Sequence, residues 1–323
     1  MGQSERGILT ISYGKERYIR MGKALAHSVR HHDEEENLAV VTDRPEELSE
    51  LYDHVIPVDH SFGDGVAQKL NLDHYTPYEE TLFVDSDCLF YGPTGLLWEY
   101  FGGDNGFGVR SWGPLSYENE CQGVADFDWY LDHYGLDHVH NIKGGFYYFD
   151  NSSTAADVFD TARVIYQNRD FVGLTSFKNA PVADEVVIAT AMEICNAPPV
   201  LIQAPDQPPV NTFLGRIEPV DINVLKGESH FIKNGTSVAP TAIHYGIGTQ
   251  DGYCYLRDVR RLELKGGIAA EWRARATARS EAASRWVKRK WQNIEERTEE
   301  VGPLGVLPGR LLRRLQIEGP DSR

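Results

Sequence analysis

The segment FVDSDCLFYG, residues 83–92, decides the fold expected for this 323-residue chain. Its apolar beginning predicts a buried strand that ends at Asp85, Ser86 and Asp87. Carboxylates at alternate positions of a regular strand point to opposite faces of a sheet. Where the backbone turns at a strand end, the two aspartates can converge on one divalent cation. Hard oxygen ligands suit Mg²⁺ or Mn²⁺, so this turn is a candidate metal site.

The same Asp-X-Asp pattern has other interpretations. A plain turn that ends a strand would account for both carboxylates. An EF-hand calcium loop needs a third oxygen ligand and a glycine, whereas Leu89 and Phe90 follow here. A haloacid-dehalogenase-type phosphatase has Thr or Val where Leu89 stands, and its motif usually lies near the N-terminus. The turn and the metal site therefore fit these residues better than the other two.

Strands and helices alternate through the first part of the chain. Hydrophobic spacing predicts strands at residues 8–13, 38–42, 53–58 and 81–84, and helices at residues 15–31, 45–52 and 66–75. This alternation predicts an α/β fold with a mainly parallel sheet. Ligands bind beyond the carboxyl ends of parallel strands. We therefore expect Ser12 and Tyr13, at the end of the first strand, to share an edge with the aspartates.

The following residues are predicted to complete the same domain. Hydrophobic patterns predict further strands at residues 106–110, 145–149 and 239–244, and further helices at residues 154–168 and 184–194. The proline-rich stretch 195–227 is expected to be irregular. Residues 1–262 would then form one domain and residues 263–323 a helical tail.

Composition narrows the class of protein. The net charge of −16 argues against nucleic acid as a partner. No apolar stretch approaches the roughly 20 residues of a membrane-spanning helix, and the N-terminus has no secretory signal pattern. The four cysteines form no Cys-X-X-Cys pair, which indicates reduced thiols rather than disulfides or a zinc site. We therefore expect a cytoplasmic protein.

The C-terminal tail differs in charge from the body of the chain. Residues 268–323 carry 12 basic and 8 acidic side chains, whereas the rest holds 20 and 40. Residues 268–296 are predicted to form a long helix with three tryptophans, and PGRLLRRLQI follows at residues 308–317. This pattern is typical of a helix that lies on a membrane surface, which would place the protein at the inner face of a membrane. Packing against its own domain or a partner is the alternative.

Five motifs, in order, resemble those of glycosyltransferase family 8 and related retaining transferases of the GT-A fold. They are ALAHSV at residues 24–29, Gln68-Lys69-Leu70 with PYEETLFVDSD at 77–87, KGGFYYFD at 143–150, Asp184-Glu185, and HYG at 244–246. The resemblance covers about residues 7–250. The chain departs from the family at Lys143, near a usual Asn, and after His244, where Lys-Pro-Trp is often found.

The resemblance implies a GT-A fold and a metal-dependent hexosyltransferase that uses a nucleotide sugar, expected to be a UDP-sugar. It implies that Asp85, Asp87 and His244 hold Mn²⁺ or Mg²⁺ against the diphosphate. The acceptor would be a glycan or a lipid-linked sugar. A nucleotidyltransferase and a non-catalytic sugar-nucleotide or glycan-binding protein of the same fold are the alternatives.

The resemblance also implies roles on the sugar side. Asp184 would bind sugar hydroxyls, and Glu185 would lie on the face opposite the leaving group, which fits transfer with retention. Gly144 and Gly145 would let the backbone approach the sugar. Lys69 is a candidate second cation for the phosphates or for positioning the aspartates. A uracil ring would stack near Ser12 and Tyr13, so these two, Lys69, Ser86 and both glycines are the expected donor-binding residues.

Overall fold

The computed structural model describes residues 4–103, 105–176, 182–201 and 209–301. The strands are β1 (Ser4–Ile11), β2 (Leu38–Thr42), β3 (His54–Pro57), β4 (Tyr78–Val84), β5 (Cys88–Phe90), β6 (Phe107–Ser116), β7 (His138–Asp150), β8 (Val200–Leu201), β9 (Val210–Thr212), β10 (Ile217–Asn223), β11 (Glu228–Lys233), β12 (Thr236–Val238) and β13 (Ala242–His244). The helices are α1 (Glu16–His32), α2 (Pro45–Leu48), α3 (Val66–Lys69), α4 (Leu72–Tyr75), α5 (Gly95–Phe101), α6 (Phe127–Tyr134), α7 (Ser153–Gln167), α8 (Asp184–Ile194), α9 (Gly246–Thr249), α10 (Tyr253–Leu264) and α11 (Ile268–Val301).

The central sheet has seven strands in the order β3-β2-β1-β4-β7-β6-β8. Strands β1 to β4 are parallel to one another, β7 is antiparallel to both β4 and β6, and β8 is parallel to β6. All five side chains of β2 are buried, as expected for a strand covered on both faces. The predicted α/β class with a mainly parallel sheet is confirmed.

A smaller sheet begins after the end of β4, with β5 as its first strand in the chain. It has the order β5-β13-β9, with β13 antiparallel to β5 and parallel to β9. Each of these strands is three residues long and buried. The hydroxyl of Ser28 in α1 accepts from the Phe90 amide at 3.0 Å and so ties β5 to the first helix.

The prediction of irregular structure at residues 195–227 is wrong in part. Strands β8, β9 and β10 all lie there, and β10 pairs antiparallel with β11 in a third sheet completed by β12. The turn between β10 and β11 contains Gly227 with a positive φ of 70°. A Cβ on this glycine would stand 2.9 Å from the Tyr91 carbonyl oxygen. The proline-rich centre of the stretch, residues 202–208, lies outside the described residues.

Two of the predicted helices are shorter than expected. The helix predicted at residues 66–75 is two short helices, α3 and α4, because the Asn71 side chain donates to the Ala67 carbonyl oxygen at 2.8 Å and competes with the helical bonds. The helix predicted at residues 45–52 ends at Leu48. The buried hydroxyl of Tyr52 donates to the Gly22 carbonyl oxygen, so the chain turns inward before β3.

Helix α11 packs along α10 through its first half. Ala274 and Ala278 are fully buried there, and Arg261 of α10 binds Glu271 of α11. Of the helices in the described ranges, none is long and apolar enough to cross a membrane. The segment PGRLLRRLQI lies outside the described residues, so the membrane-contact hypothesis and the domain boundary near residue 262 stay predictions.

Candidate active site

The turn at residues 85–87 connects the central sheet to the small sheet. Two backbone hydrogen bonds fix it: the Asp85 amide donates to the Gly145 carbonyl oxygen at 3.0 Å, and the Tyr245 amide donates to the Asp87 carbonyl oxygen at 3.1 Å. His244 is paired in register with Cys88, the first residue of β5. The fold therefore brings the end of β13 against a turn that lies far away in sequence.

His244 faces both aspartates through one ring nitrogen. Its Nε2 lies 3.1 Å from Asp87 Oδ1 and 3.8 Å from Asp85 Oδ2, and only 7% of the residue is exposed. Ligands bound octahedrally at roughly 2.1 Å stand about 3 Å apart, so this spacing fits one nitrogen and two carboxylate ligands of a divalent ion. The Nδ1 atom is buried and has no hydrogen-bond partner within the described part of the chain. The polar contacts of the ring are therefore those to the carboxylates.

Burial and mutual charge change the acidity of this group. Burial would lower the pKa of His244, but the charges of Asp87 and Asp85 and the hydrogen bond that the ring donates to Asp87 raise it above its usual value. Burial would likewise raise the pKa of Asp87, yet His244 and Lys69 hold it below its usual value. For Asp85, burial prevails and raises the pKa. The carboxylates thus favour positive charge at His244, and a divalent ion bound there would supply such charge.

Lys69 links the two aspartate sites. Its ammonium group lies 2.7 Å from Asp85 Oδ1 and 3.1 Å from Asp184 Oδ2, and it donates to the Gly144 carbonyl oxygen at 3.4 Å. Burial would raise the pKa of Asp184, but Lys69 and the Tyr147 hydroxyl, which donates to Asp184 Oδ2 at 3.0 Å, hold it below its usual value. Lys69 therefore contacts a carboxylate of each aspartate site, and its role in donor binding stays a prediction.

Glu185 has a partner that the sequence did not indicate. The Lys143 ammonium group lies 2.6 Å from Glu185 Oε1, and both side chains are about three-quarters buried. Lys143 stands near the position where the resembling family usually has Asn. The departure therefore introduces a cation that neutralises the carboxylate expected to face the sugar.

Both glycines before the aromatic part of β7 are required by close neighbours. A Cβ on Gly144 would lie 2.6 Å from the Tyr147 hydroxyl and 2.8 Å from Asp184 Oδ2, and one on Gly145 would lie 2.4 Å from His244 Nδ1. The space left by the missing side chains is thus filled by residues of the site itself. Contact of these glycines with a sugar stays a prediction.

The donor-binding residues expected at the first strand have different surroundings. The Ser12 side chain is fully buried and its hydroxyl donates to the Tyr18 carbonyl oxygen at 2.7 Å, which fixes the turn between β1 and α1. The Tyr13 hydroxyl accepts from the Gly65 amide at 2.9 Å, and its ring meets His60 edge-on. Only the backbone of Ser12 can therefore contact a nucleotide-sugar donor. The Tyr13 side chain is partly exposed and remains accessible to such a ligand.

A cavity of about 260 Å³ opens beside these residues at the ends of β2 and β3. Thr42, Asp43, Pro57 and His60 form much of its wall. It lies on the same edge of the central sheet as the aspartate turn, because β1, β2, β3 and β4 are parallel. Ser86, in the aspartate turn, is partly exposed.

Sequence reasoning missed three residues of the site. Tyr147 and Lys143 bind the acidic pair, and the Cys88 thiol lies with Asp87 and His244 in a group whose possible ligand atoms are all within 4.8 Å of one another. Burial and the two aspartates raise the pKa of Cys88 well above its ordinary value, so the thiol stays protonated and is a poor metal ligand. Lys143 had a signal, its departure from the family, whereas Tyr147 looks like any core aromatic.

Comparisons with known proteins agree with this architecture. No protein-family model and no curated protein sequence matches the chain. The structure of the galactosyltransferase LgtC with donor and acceptor sugar analogues is 13% identical, with 86% of this chain and 95% of LgtC covered at a TM-score of 0.50. An active-site mutant of LgtC is 15% identical, with 83% and 99% covered and a TM-score of 0.51. This chain has a GT-A fold.

A third solved structure matches a smaller part of the fold. The glycosyltransferase GlyE of Streptococcus pneumoniae TIGR4 is 12% identical over 62% of this chain, with a TM-score of 0.42. The present chain spans less than half of GlyE, since 45% of that protein is covered. The predicted GT-A fold is confirmed.

Proposed function

We propose that this protein is a metal-dependent glycosyltransferase that moves a hexose from a UDP-sugar to a glycan or lipid-linked acceptor with retention. The observation that supports it most is the meeting of Asp85, Asp87 and His244 at the sheet edge, beside a second acidic pair, Asp184 and Glu185. A structural turn would need neither the histidine nor the second pair.

The metal follows from the ligand set and the charge of the site. Asp85, Asp87 and His244 would hold Mn²⁺ or Mg²⁺, and their mixed oxygen and nitrogen atoms favour Mn²⁺. When bound, the ion acts as a Lewis acid on the leaving diphosphate. The net charge of −16 favours such an ion, because a diphosphate binds poorly to a negatively charged protein without a counter-ion.

The nucleoside is proposed to lie in the cavity beside Tyr13. This cavity opens at the same sheet edge as the aspartate turn, which is where α/β sheets bind their ligands. Asp43 in its wall accepts from the Gly14 amide, so the loop after β1 is already ordered. A base in the cavity and a diphosphate at the metal would orient the sugar towards Asp184 and Glu185.

Retention is proposed from the position of the acidic pair on α8. Asp184 is held by Lys69 and Tyr147, so its fixed carboxylate can accept hydrogen bonds from sugar hydroxyls. Glu185 can stabilise an oxocarbenium-like centre on the face opposite the diphosphate. Its contact with Lys143 reduces its nucleophilicity, which favours a front-face mechanism over a covalent intermediate.

A screen of nucleotide sugars with Mn²⁺ tests the proposal. The expected result is slow hydrolysis of a UDP-sugar that disappears in Asp87→Asn and is unchanged in Asp157→Asn, a matched variant of an exposed aspartate on α7. Calorimetry with UDP and Mn²⁺ should show the same loss of binding. If Asp87→Asn binds UDP with Mn²⁺ as tightly as the parent, the metal assignment is wrong.

The stereochemistry needs a separate measurement. An α-linked donor should give an α-linked product, which the anomeric proton signal identifies by NMR. A β-linked product would mean inversion, and Glu185 would then be a general base or an ordinary acid at the start of a helix.

One observation favours a second function, a sugar-nucleotide-binding protein without catalysis. Lys143 neutralises Glu185, the carboxylate that chemistry would use. Such a protein would bind UDP with Mn²⁺ and lose that binding in Asp87→Asn, yet neither hydrolyse nor transfer any sugar in the screen. Turnover by the parent chain would exclude this second function.

A further inference from the structure

A second group of possible metal ligands lies where β7 meets α8. His138 and His140 alternate with Val139 on β7, so their side chains leave the strand on the same face. Glu193 lies in the last turn of α8, which packs on β7. All three side chains are partly buried, with 38% of His138, 15% of His140 and 18% of Glu193 exposed.

The distances in this group are those between ligands of one ion. His138 Nε2 lies 3.6 Å from Glu193 Oε2, and His140 Nε2 lies 3.5 Å from Glu193 Oε1. Both exceed the roughly 2.7–3.2 Å of an N–H···O hydrogen bond. Ligands held tetrahedrally at about 2.05 Å from zinc stand about 3.3 Å apart, close to the observed spacing. The three ligand atoms all lie within 4.8 Å of one another.

A hydrogen bond on the far side of one ring prepares it for a metal. His140 Nδ1 lies 3.1 Å from the Ser111 hydroxyl, whose oxygen also accepts from the Gly113 amide at 3.0 Å. If Nδ1–H donates to this oxygen, the lone pair of the neutral ring is on Nε2, which faces Glu193. A second hydrogen bond of this kind is typical of histidines that bind metals.

The charge of the surroundings also favours a cation. Glu193 stands near the carboxyl end of α8, where the helix dipole is negative, and no basic residue occupies that last turn. A negative side chain is unfavourable at this end of a helix. A divalent ion between Glu193 and the two imidazoles would offset both the carboxylate and the dipole.

We infer that His138, His140 and Glu193 form a zinc site that joins β7 to the carboxyl end of α8. The ligand set of two imidazoles and one carboxylate suits Zn²⁺ and leaves a fourth position for water. Glu193 follows Glu185 by eight residues, or about 12 Å of helix, so this site is separate from the aspartate turn. The inference does not depend on the proposed function.

The site would have a mechanical role. Helix α8 begins with Asp184 and Glu185, and its other end has the zinc ligand. Strand β7 leads from the two histidines to Lys143 and Gly144. A metal at the far end would therefore fix the relative position of the two elements that form the sugar side of the candidate active site.

Zinc titration of the tag-free full chain, stripped with a chelator, tests this inference. Competition with a chromophoric chelator should show a Zn²⁺ equivalent that is retained in Asp87→Asn, because that variant affects only the aspartate turn. In the Asp87→Asn background, His140→Gln and Glu193→Gln should each lower the zinc affinity at least about tenfold. Even changes to residues that only contact a ligand lower metal affinity about 10- to 100-fold. His133→Gln, an exposed histidine on α6, is the matched control.

Two further readouts make the outcome decisive. Co²⁺ should give the visible absorption of a tetrahedral site in the Asp87→Asn background, lost in His140→Gln. Zn²⁺ should raise the melting temperature of the parent and of His133→Gln alike. If His140→Gln does not fold, the more exposed His138→Gln replaces it. Zinc bound equally well by the His133→Gln and cluster variants, or no zinc retained by Asp87→Asn, would overturn the inference.

Discussion

Two regions of the molecule bury clusters of charged side chains, the aspartate turn after β4 and the junction of α10 with α11. At the junction, Arg261 donates to Glu271 through two nitrogens, at 2.8 and 2.6 Å, and to Asp258 at 2.5 Å. Asp258, fully buried, also accepts from the Tyr91 hydroxyl at 2.8 Å. Each carboxylate there has a planar guanidinium donor matched to its geometry.

The aspartate turn is built differently. Four carboxylates, those of Asp85, Asp87, Asp184 and Glu185, are gathered around two lysines and one histidine. The histidine also keeps a buried nitrogen without a partner among the described residues. Crowded like charges are unfavourable in the absence of a ligand, and they raise the affinity for a cation. Charges are therefore matched where α11 packs on α10, whereas negative charge is in excess at the turn, as the proposed metal site requires.

The largest expected effect is a loss of activity, without a loss of stability, when the aspartate turn is changed. Asp85→Asn should lower turnover at least about a thousandfold, because the metal would lose a ligand and the diphosphate its counter-charge. The melting temperature should stay near that of the parent, because relief of the burial and crowding that raise the pKa of Asp85 offsets the lost ion pair with Lys69. Steady-state kinetics and calorimetric melting of the same preparation check both halves. A variant that melts much earlier than the parent would show that Asp85 is a structural residue.

The next largest effect is a loss of stability, without a loss of activity, when the junction of α10 with α11 is changed. Asp258→Asn removes the carboxylate that two arginines face and should cost about 3–5 kcal/mol of unfolding free energy, as for other broken buried pairs. The kcat of the folded fraction should stay near that of the parent. Urea unfolding measures the loss, and Asp157→Asn on α7 is the control. A loss under about 1 kcal/mol would show that the junction pairs contribute little.

Glu185 shares features of both clusters, because it lies beside the aspartate turn and is paired with a cation, Lys143. Glu185→Gln should lower kcat by about 10²- to 10³-fold with little change in UDP affinity, because it removes charge that acts mainly in the transition state. The Lys143→Gln variant should change kcat less and leave Glu185 in place. Equal loss of UDP affinity and of kcat in Glu185→Gln would place this residue in donor binding instead.

The sequence predicted the local parts of this architecture. The strand before Asp85 has a local apolar run, the helix that starts at Asp184 has an apolar pattern and helix-start acids, and both elements are found. The strands of the small sheet are only three residues long, too short for a periodic signal, and so β5 and β9 were missed. Without them the contact between His244 and the aspartate turn could come only from the resemblance. The pair Lys143–Glu185 depends on tertiary packing alone.

A smaller effect is expected on the stability of the protein at low pH. The hydrogen bond and charge of Arg261, joined by Arg275, hold the pKa of Glu271 at about 2, well below its ordinary value. A lowered carboxyl pKa stabilises the fold fully above the unfolded-state value of about 4.5, and this contribution is lost as the pH falls towards 2. Because 30% of the Glu271 side chain is exposed to screening solvent, we expect only about 1 kcal/mol from this pair. The difference in unfolding free energy between parent and Glu271→Gln should shrink between pH 5 and about 2. A constant difference would exclude this ion pair.

The smallest effect on stability is expected on the other side of α11. Trp272 and Trp286 are 71% and 60% exposed and stand about four helical turns apart, away from the buried Ala274. Trp272→Ser and Trp286→Ser should each change the unfolding free energy by under about 0.5 kcal/mol, because they lose little packing. If α11 lies on a membrane as its composition predicts, the same variants should reduce sedimentation of the full chain with vesicles that contain anionic lipid. Parent protein that does not sediment with these vesicles would leave α11 as a helix whose packing on α10 is its whole role.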